Sequence, residues 1–180
     1  MPEIQVRALI AADIAALIAL EHHYNSDYVW QLEYTHNRDA GQIKTSFRQV
    51  RLPRSVRVEY PREPSRLSEN FGKRSGILVA LLENEVIGYI SLADECAPLT
   101  TWVTDIVVTQ HMRRQGIGSA LLLAAQEWAL HMDNRSILME MQPKNHPAIQ
   151  LALKLGFEFC GYNDRHYANH GSAIFFCKSL

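Results

Sequence analysis

The stretch TDIVVTQHMRRQGIGSALLLAAQEWAL, residues 104–130, decides the reading of this chain. Arg113 and Arg114 run through Gln115 into Gly116-Ile117-Gly118, between a β-branched run and a helical one. TTWVTDIVVT (100–109) reads as a strand. A helix is expected from about 116 to 131, with Ile117, Ala120, Leu121, Ala124, Ala125 and Trp128 on one face. A helix start offers backbone N–H groups without intrahelical partners and the positive end of the dipole. Glycines there let a bulky anion approach the backbone, and two arginines add charge suited to a pyrophosphate.

Two familiar phosphate loops fit poorly. A P-loop needs a lysine after its last glycine, and none is present. The dinucleotide fingerprint needs its glycines directly after the strand and a third small residue. Here seven residues separate Val108 from Gly116, and the third position is Leu121.

Outward from the junction, GILVALLENEVIGYISLAD (76–94) reads as strand, turn, strand, with the turn at Glu83-Asn84-Glu85. SILMEM (136–141) is another strand. NHPAIQLALKLGF (145–157) reads as a helix, with Asn145 as N-cap, Pro147 in the first turn and Gly156 at the close. FEFCGY and SAIFFCKSL are two final strands. Upstream, EIQVRAL (3–9) alternates as a first strand, and AADIAALIALEHHY (11–24) has helical apolar spacing. Residues 25–75 are less regular. Arginine alternates with Phe, Val, Leu and Tyr over 45–66, which implies an extended, exposed strand region followed by a loop from about 61 to 75. The order implies an α/β fold: a single mixed central sheet with helices on both faces.

The chain has 180 residues, which suits one domain. Apolar residues are 47%, charged residues 21% and the formal net charge is −1, so binding to nucleic acid or an anionic membrane through overall charge is not expected. Arginines between aromatics at 48–66 could suggest nucleic acid, but with a charge balance near neutral a solvent-facing edge strand accounts for them better. Three cysteines without a CxxC pair argue against a disulfide framework and point to the cytoplasm. Met1 leads directly into the first strand with no signal-like segment, and no apolar run reaches the ~18 residues of a membrane helix.

Arg113 to Gly118 matches [RQ]xxGx[GA], with the apolar DIVV upstream and a helix after it. Asn145, Ala148, Gly156 and Phe157 match a second segment in type and spacing. On these residues the chain resembles the GNAT N-acetyltransferase superfamily, well over 76–180 and by element order only over 3–24. The C-terminal YNDRHYANHGSAIFFCKSL, with DIVV and LMEMQPKN, looks more loosely like the streptothricin-acetyltransferase branch.

The resemblance implies the acyl-CoA N-acyltransferase fold, in which a bulged cofactor strand splays from its neighbour. It implies acetyl-CoA as co-substrate and an amine-bearing small molecule or peptide as acceptor, with 76–180 as the CoA-binding core and 25–75 on the acceptor side. Backbone groups of Ile106, Val107 and Val108 would pair with the pantetheine arm. Backbone N–H groups of Arg114, Gln115, Gly116, Ile117, Gly118 and Ser119, with the charge of Arg113 and Arg114, would hold the pyrophosphate. Asn145 would contact the cofactor near its sulfur, or serve as a plain N-cap.

Transfer to an amine needs a neutral amine, a stabilised oxyanion and a proton for the thiolate. Glu140, in the apolar strand ILMEM and five residues before Asn145, is the first candidate base, and Asp105 the second. Glu33, Asp94 and Glu95 are weaker candidates. Many relatives carry a tyrosine seven residues after the asparagine as general acid. Here that residue is Ala152, so Tyr162 and Tyr167 become the candidates. His166 and His170 lie four apart, but Asn169 and Gly171 argue for a turn rather than a zinc-binding helix, and no metal is expected. A non-catalytic acyl-CoA-binding or sensor module is the alternative, and a homodimer stays open.

Overall fold

The computed structural model describes residues 4–69 and 76–180. Its frame is a seven-stranded sheet in the order β1-β4-β5-β6-β7-β9-β8. The strands are β1 (Gln5–Ala8), β4 (Gly76–Leu82), β5 (Glu85–Ala97), β6 (Thr100–Val108), β7 (Ser136–Met141), β8 (Glu158–Asn163) and β9 (Ala173–Ser179). Only the β6–β7 pair is parallel. The helices are α1 (Ile14–Ala19), α2 (Arg66–Glu69), α3 (Ile117–His131) and α4 (His146–Lys154). β2 (Tyr24–Asn37) and β3 (Gln42–Val58) form a separate two-stranded ribbon.

Alternation along the strands sorts the core onto two faces. On β4, Leu78 and Ala80 join Leu121, Leu122 and Ile149 under α3 and α4. Ile77, Val79 and Leu81 point the other way, to Leu17 of α1 and Leu67 of α2. Helices therefore cover both faces, as the element order implied. The β4–β5 turn uses Glu83 and Asn84, both with positive φ (50° and 68°), which suits the right-handed twist of a tight hairpin.

Three upstream expectations change. The first helix is a 3-10 turn at Ala11–Asp13 and six α-helical residues, not a run to Tyr24. Leu20 is already extended (φ −62°, ψ 152°), which lets the chain bury His22 and start β2 at the buried Tyr24. Residues 25–37 join the expected exposed strand as a long ribbon, irregular where Ser26↔Val56 gives way to Tyr28↔Arg51. The expected loop from 61 contains α2, while its 70–75 portion, like Glu3 of the first strand, lies outside the described residues. The ribbon docks over the end of β7: the Trp30 N–H donates to the Pro143 carbonyl (2.9 Å), and Phe47 packs on Phe159 and Tyr162.

Candidate active site

A fork in the sheet organises the site. β6 and β7 pair only from Thr100–Ser136 to Val103–Met139, yet β6 runs on to Val108 and β7 to Met141. Against β5, Leu92 faces Val103 but Ser91 faces Asp105, so Thr104 is an inserted residue. Such a bulge bends its strand and shifts the alternation by one. Val103, Ile106 and Val108 therefore face the α3/α4 core, while Asp105 and Val107 turn to the opposite face. Glu140 is on that face too, since Met139 and Met141 point into the α3/α4 core.

A cavity of about 600 Å³ follows the open side of β6. Ile106, Val107, Val108, Arg114, Gly116–Ser119 and Asn145 line it. At its far end Arg114 and Gly116 are both left-handed (φ 66° and 89°), and Gly116 caps α3. The bond from Ala120 N–H to the Gly116 carbonyl (3.0 Å) closes the helix's first turn, so the amides of Ile117, Gly118 and Ser119 lie ahead of its ladder. The two glycines differ in purpose. A Cβ on Gly116 would meet nothing within 4 Å, so the space above that backbone is open. A Cβ on Gly118 would lie 3.2 Å from Leu151 Cδ2, so that glycine lets α3 approach α4.

The two arginines also differ. Arg113 Nε donates to the Val108 carbonyl (2.8 Å), and its Nη2 to the carbonyls of Glu21 (2.7 Å) and His23 (3.0 Å). It buckles the end of β6 to the segment before β2. Gln115 Nε2 likewise turns back to the His111 carbonyl (3.1 Å). Both arginines line the cavity, but the Arg114 guanidinium makes no hydrogen bond to another described residue.

A smaller notch adjoins the cavity, and the two share Tyr60, Ile106, Asn145 and Ala148. The notch holds Arg62, Asp105, Glu140 and Tyr167. Arg62 Nη2 donates to Glu140 Oε1, and Nη1 donates to the Thr104 carbonyl (2.9 Å) and lies 3.4 Å from Asp105 Oδ1. Glu140 Oε2 accepts from Trp102 Nε1 (2.9 Å) and lies 3.1 Å from His166 Nε2. Asp105 accepts from the Tyr60 hydroxyl at Oδ1 and from Thr104 Oγ1 at Oδ2 (2.7 Å). Arg62 stacks on the Tyr167 ring, 5.3 Å from its centroid. Burial disfavours the guanidinium cation, but Asp105 and Glu140 outweigh this and its pKa lies above the ordinary value. Burial pushes the phenols of Tyr60, Tyr167 and Tyr24 up, so all three keep their protons near neutral pH.

Asp105, Glu140 and Tyr167 thus meet at one place, beside Asn145. The Asn145 side chain caps α4, accepting from the Ala148 N–H (3.2 Å), and it also lines both cavities. Tyr162 lies elsewhere: its ring meets Phe47 edge-on at 5.4 Å, packed against the α3/α4 core, and it lines neither cavity. Ala152 is fully buried. Of the weaker carboxylates, Glu33 is exposed on the ribbon beside Arg48, and Asp94 accepts from Thr101 and Asn134. The Glu95 side chain lies outside the described residues. His166–His170 forms a turn, with His170 at φ 60°. Among the described residues no group of three or more His, Cys, Asp and Glu is placed to hold a metal, and no helix is long and apolar enough to cross a membrane.

Sequence reasoning missed Tyr60, Arg62 and Trp102, and weighed His166 as a metal ligand rather than as a partner of Glu140. Tyr60 and Arg62 flank a proline just after β3, and that interruption of an alternating run was the available signal.

The model of the acetyltransferase (GNAT) family matches residues 43–157. An N-alpha-acetyltransferase of Sulfurisphaera tokodaii is 29% identical over 59% of this chain and 70% of that protein. The crystal structure of nourseothricin acetyltransferase superposes with a TM-score of 0.81 at 22% identity, covering 98% of each chain. A Bacillus anthracis protein described as a streptothricin acetyltransferase, solved with acetyl coenzyme A, gives 0.79 at 23% identity over 99% of each chain.

Proposed function

Because the chain belongs to the acetyltransferase (GNAT) family, we propose that it moves an acetyl group from acetyl-CoA to a primary amine of a small molecule or peptide, by direct attack. One observation carries this reading: the open edge of β6 and the amides before α3 line a single cavity that ends beside two buried carboxylates. Edge groups of Ile106–Val108 hold the pantetheine arm and polarise the thioester carbonyl. The amides of Ile117, Gly118 and Ser119, the open backbone at Gly116 and the charge of Arg114 hold the pyrophosphate. Arg113 and Gln115 shape that cradle through their hydrogen bonds to backbone carbonyls. Residues 76–180 supply most of the CoA side, and Tyr60 and Arg62 bring the 25–75 region to the acceptor.

Glu140 has donors at both oxygens, so we assign it to hold Arg62 and His166 in place, and we assign the amine's proton to Asp105. With Ala152 in the position of the family tyrosine, Tyr167 is the candidate to protonate the thiolate. Its phenol lines the notch and keeps its proton. The likeness to streptothricin-type structures favours a basic amine as acceptor, and the Sulfurisphaera relative keeps a peptide α-amine in view. A cytoplasmic location is part of this reading.

The test is release of free thiol from acetyl-CoA with a panel of lysine, spermidine, streptothricin and a peptide with a free α-amine. Thiol release with at least one is expected. The buried Ala152 favours a second reading, a non-catalytic acyl-CoA-binding module. That reading predicts CoA binding in calorimetry with no thiol release from any amine.

A further inference from the structure

We propose that Tyr60 is the group that meets the acceptor amine and that it relays the amine's proton to Asp105. This inference rests on the acetyl-transfer reading and adds a residue to it. Tyr60 forms part of the wall between the cavity and the notch, so its ring borders both the thioester end and the acceptor end. Asp105 is poorly placed to meet a substrate itself. Its side chain is 4% exposed, its Oδ2 accepts from Thr104, and its Oδ1 takes the Tyr60 hydroxyl with Arg62 nearby. A phenol that donates to Asp105 still has lone pairs with which to accept an N–H.

The surroundings suit a conduit rather than an ionising base. Burial and the Asp105 charge push the Tyr60 pKa well above its ordinary value, so the phenolate is not populated. Arg62 faces the pair from the segment after β3, Glu140 and Tyr167 lie beyond Arg62, and His166 beyond Glu140. On the other side the His22 ring lies 5.4 Å from the Tyr60 ring, with Tyr89 behind it. His22 Nδ1 lies 2.7 Å from the Leu20 carbonyl and Nε2 lies 3.1 Å from the Tyr89 hydroxyl. Burial lowers the His22 pKa, so the imidazole is neutral there and adds no cation.

The step balances. An ammonium N–H bond breaks as its proton passes to Tyr60 Oη, and the Tyr60 O–H bond breaks as that proton passes to Asp105 Oδ1. Tyr60 ends neutral, Asp105 ends as a carboxylic acid, and nitrogen keeps the electron pair. Nitrogen then bonds to the thioester carbon, the C–S bond breaks, Tyr167 gives its proton to sulfur, and the second nitrogen proton restores the Tyr167 phenol. Asp105 returns its proton to solvent before the next turnover.

The experiment compares thiol release by the wild-type chain, Tyr60→Phe, Asp105→Asn and the double variant, from about pH 6 to about pH 10, with an amine from the panel above. Tyr60→Phe should lower kcat/KM by about 10²-fold near pH 7 and recover most of it where the amine is already neutral. Acetyl-CoA affinity by calorimetry should not change, Asp105→Asn should behave alike, and the double variant should be no worse than either single one. A wild-type proton inventory, which needs no variant, should bow downward because two protons move together. A Tyr60→Phe profile parallel to wild type, a double loss equal to the product of the singles, or a linear inventory overturns the relay alone. No thiol release by the wild-type chain with any amine overturns the acetyl-transfer reading and the relay with it.

Discussion

Arg62 and Glu140 form an ion pair across the fork that β6 and β7 leave open. One guanidinium nitrogen donates to Glu140 on β7, and the other donates to the Thr104 carbonyl on β6 at 2.9 Å. A side chain thus ties the two strands where their ladder has stopped. The side chains are 24% and 3% exposed, so solvent screens the pair little. Arg62→Met leaves Glu140 and Asp105 buried without their shared cation, and should lower unfolding free energy by about 3–5 kcal/mol. Urea denaturation measures this, and an unchanged midpoint would show that the pair is no strut. Glu140→Gln should lower turnover at neutral pH more than it lowers acetyl-CoA affinity, because Glu140 borders the notch and not the larger cavity.

The two glycines of the motif should separate by assay. Gly116→Asp places a carboxylate in the open space above the cradle, at a φ of 89° that side chains rarely adopt. Repulsion and strain together should weaken CoA binding at least ~10-fold in calorimetry. Gly118→Ala presses on Leu151 Cδ2, the far end of a flexible side chain, and should lower stability by about 1 kcal/mol while changing affinity less. Unchanged CoA affinity in Gly116→Asp would remove the pyrophosphate from this loop.

Arg113 and Arg114 are neighbours with opposite expected phenotypes. Arg113→Ala strips donors from the Val108, Glu21 and His23 carbonyls and should cost about 1–3 kcal/mol of stability. Arg114→Ala should leave the melting temperature nearly alone and weaken CoA binding about tenfold, with a deficit that shrinks as salt rises. The reverse pattern would exchange the roles assigned to the two residues.

The legible parts of the fold are those where packing imposes a period. From β4 through β7, and again in β9, at least one face of each strand is buried, and α4 carries its cap at Asn145 and its left-handed Gly156 (φ 79°). The ribbon is hard to read because residues 33–46 are exposed nearly throughout, and no alternation is enforced there. The helix expected over 11–24 is overextended because Ile14, Leu17 and Ile18 keep helical spacing up to the point where the chain turns to bury His22 and Tyr24. In the site, Asp105 and Glu140 stand out as charges in apolar strands. The bulge at Thr104 leaves no mark in TTWVTDIVV, yet it decides which face Asp105 takes. Tyr60 and Arg62 reach their partners across 45 and 78 positions of sequence, and no local pattern encodes such pairings.

His22 gives the fold a pH dependence whose sign follows from its burial. Desolvation lowers its pKa below the ordinary 6.5, against weaker opposing effects of the Leu20 carbonyl and Asp105. Above about pH 6.5 the ring is neutral in both the folded and unfolded chain, and contributes no slope. Below that value the unfolded chain takes up a proton that the folded chain resists. Stability should therefore fall as pH drops from about 6.5 toward the folded pKa. Burial shifts His146, packed 4.6 Å from the Tyr28 ring, in the same direction, so the two add. Asp13, held below the ordinary carboxylate pKa chiefly by its hydrogen bond with Arg7, acts only at lower pH, since its stabilisation is lost as the carboxylate protonates. Urea midpoints between about pH 5 and about pH 8 should rise and then level, and His22→Gln should flatten part of that rise. A slope unchanged in His22→Gln and abolished in His146→Gln would move the effect to the start of α4. Slopes unchanged from wild type in both variants would place the proton uptake on neither ring.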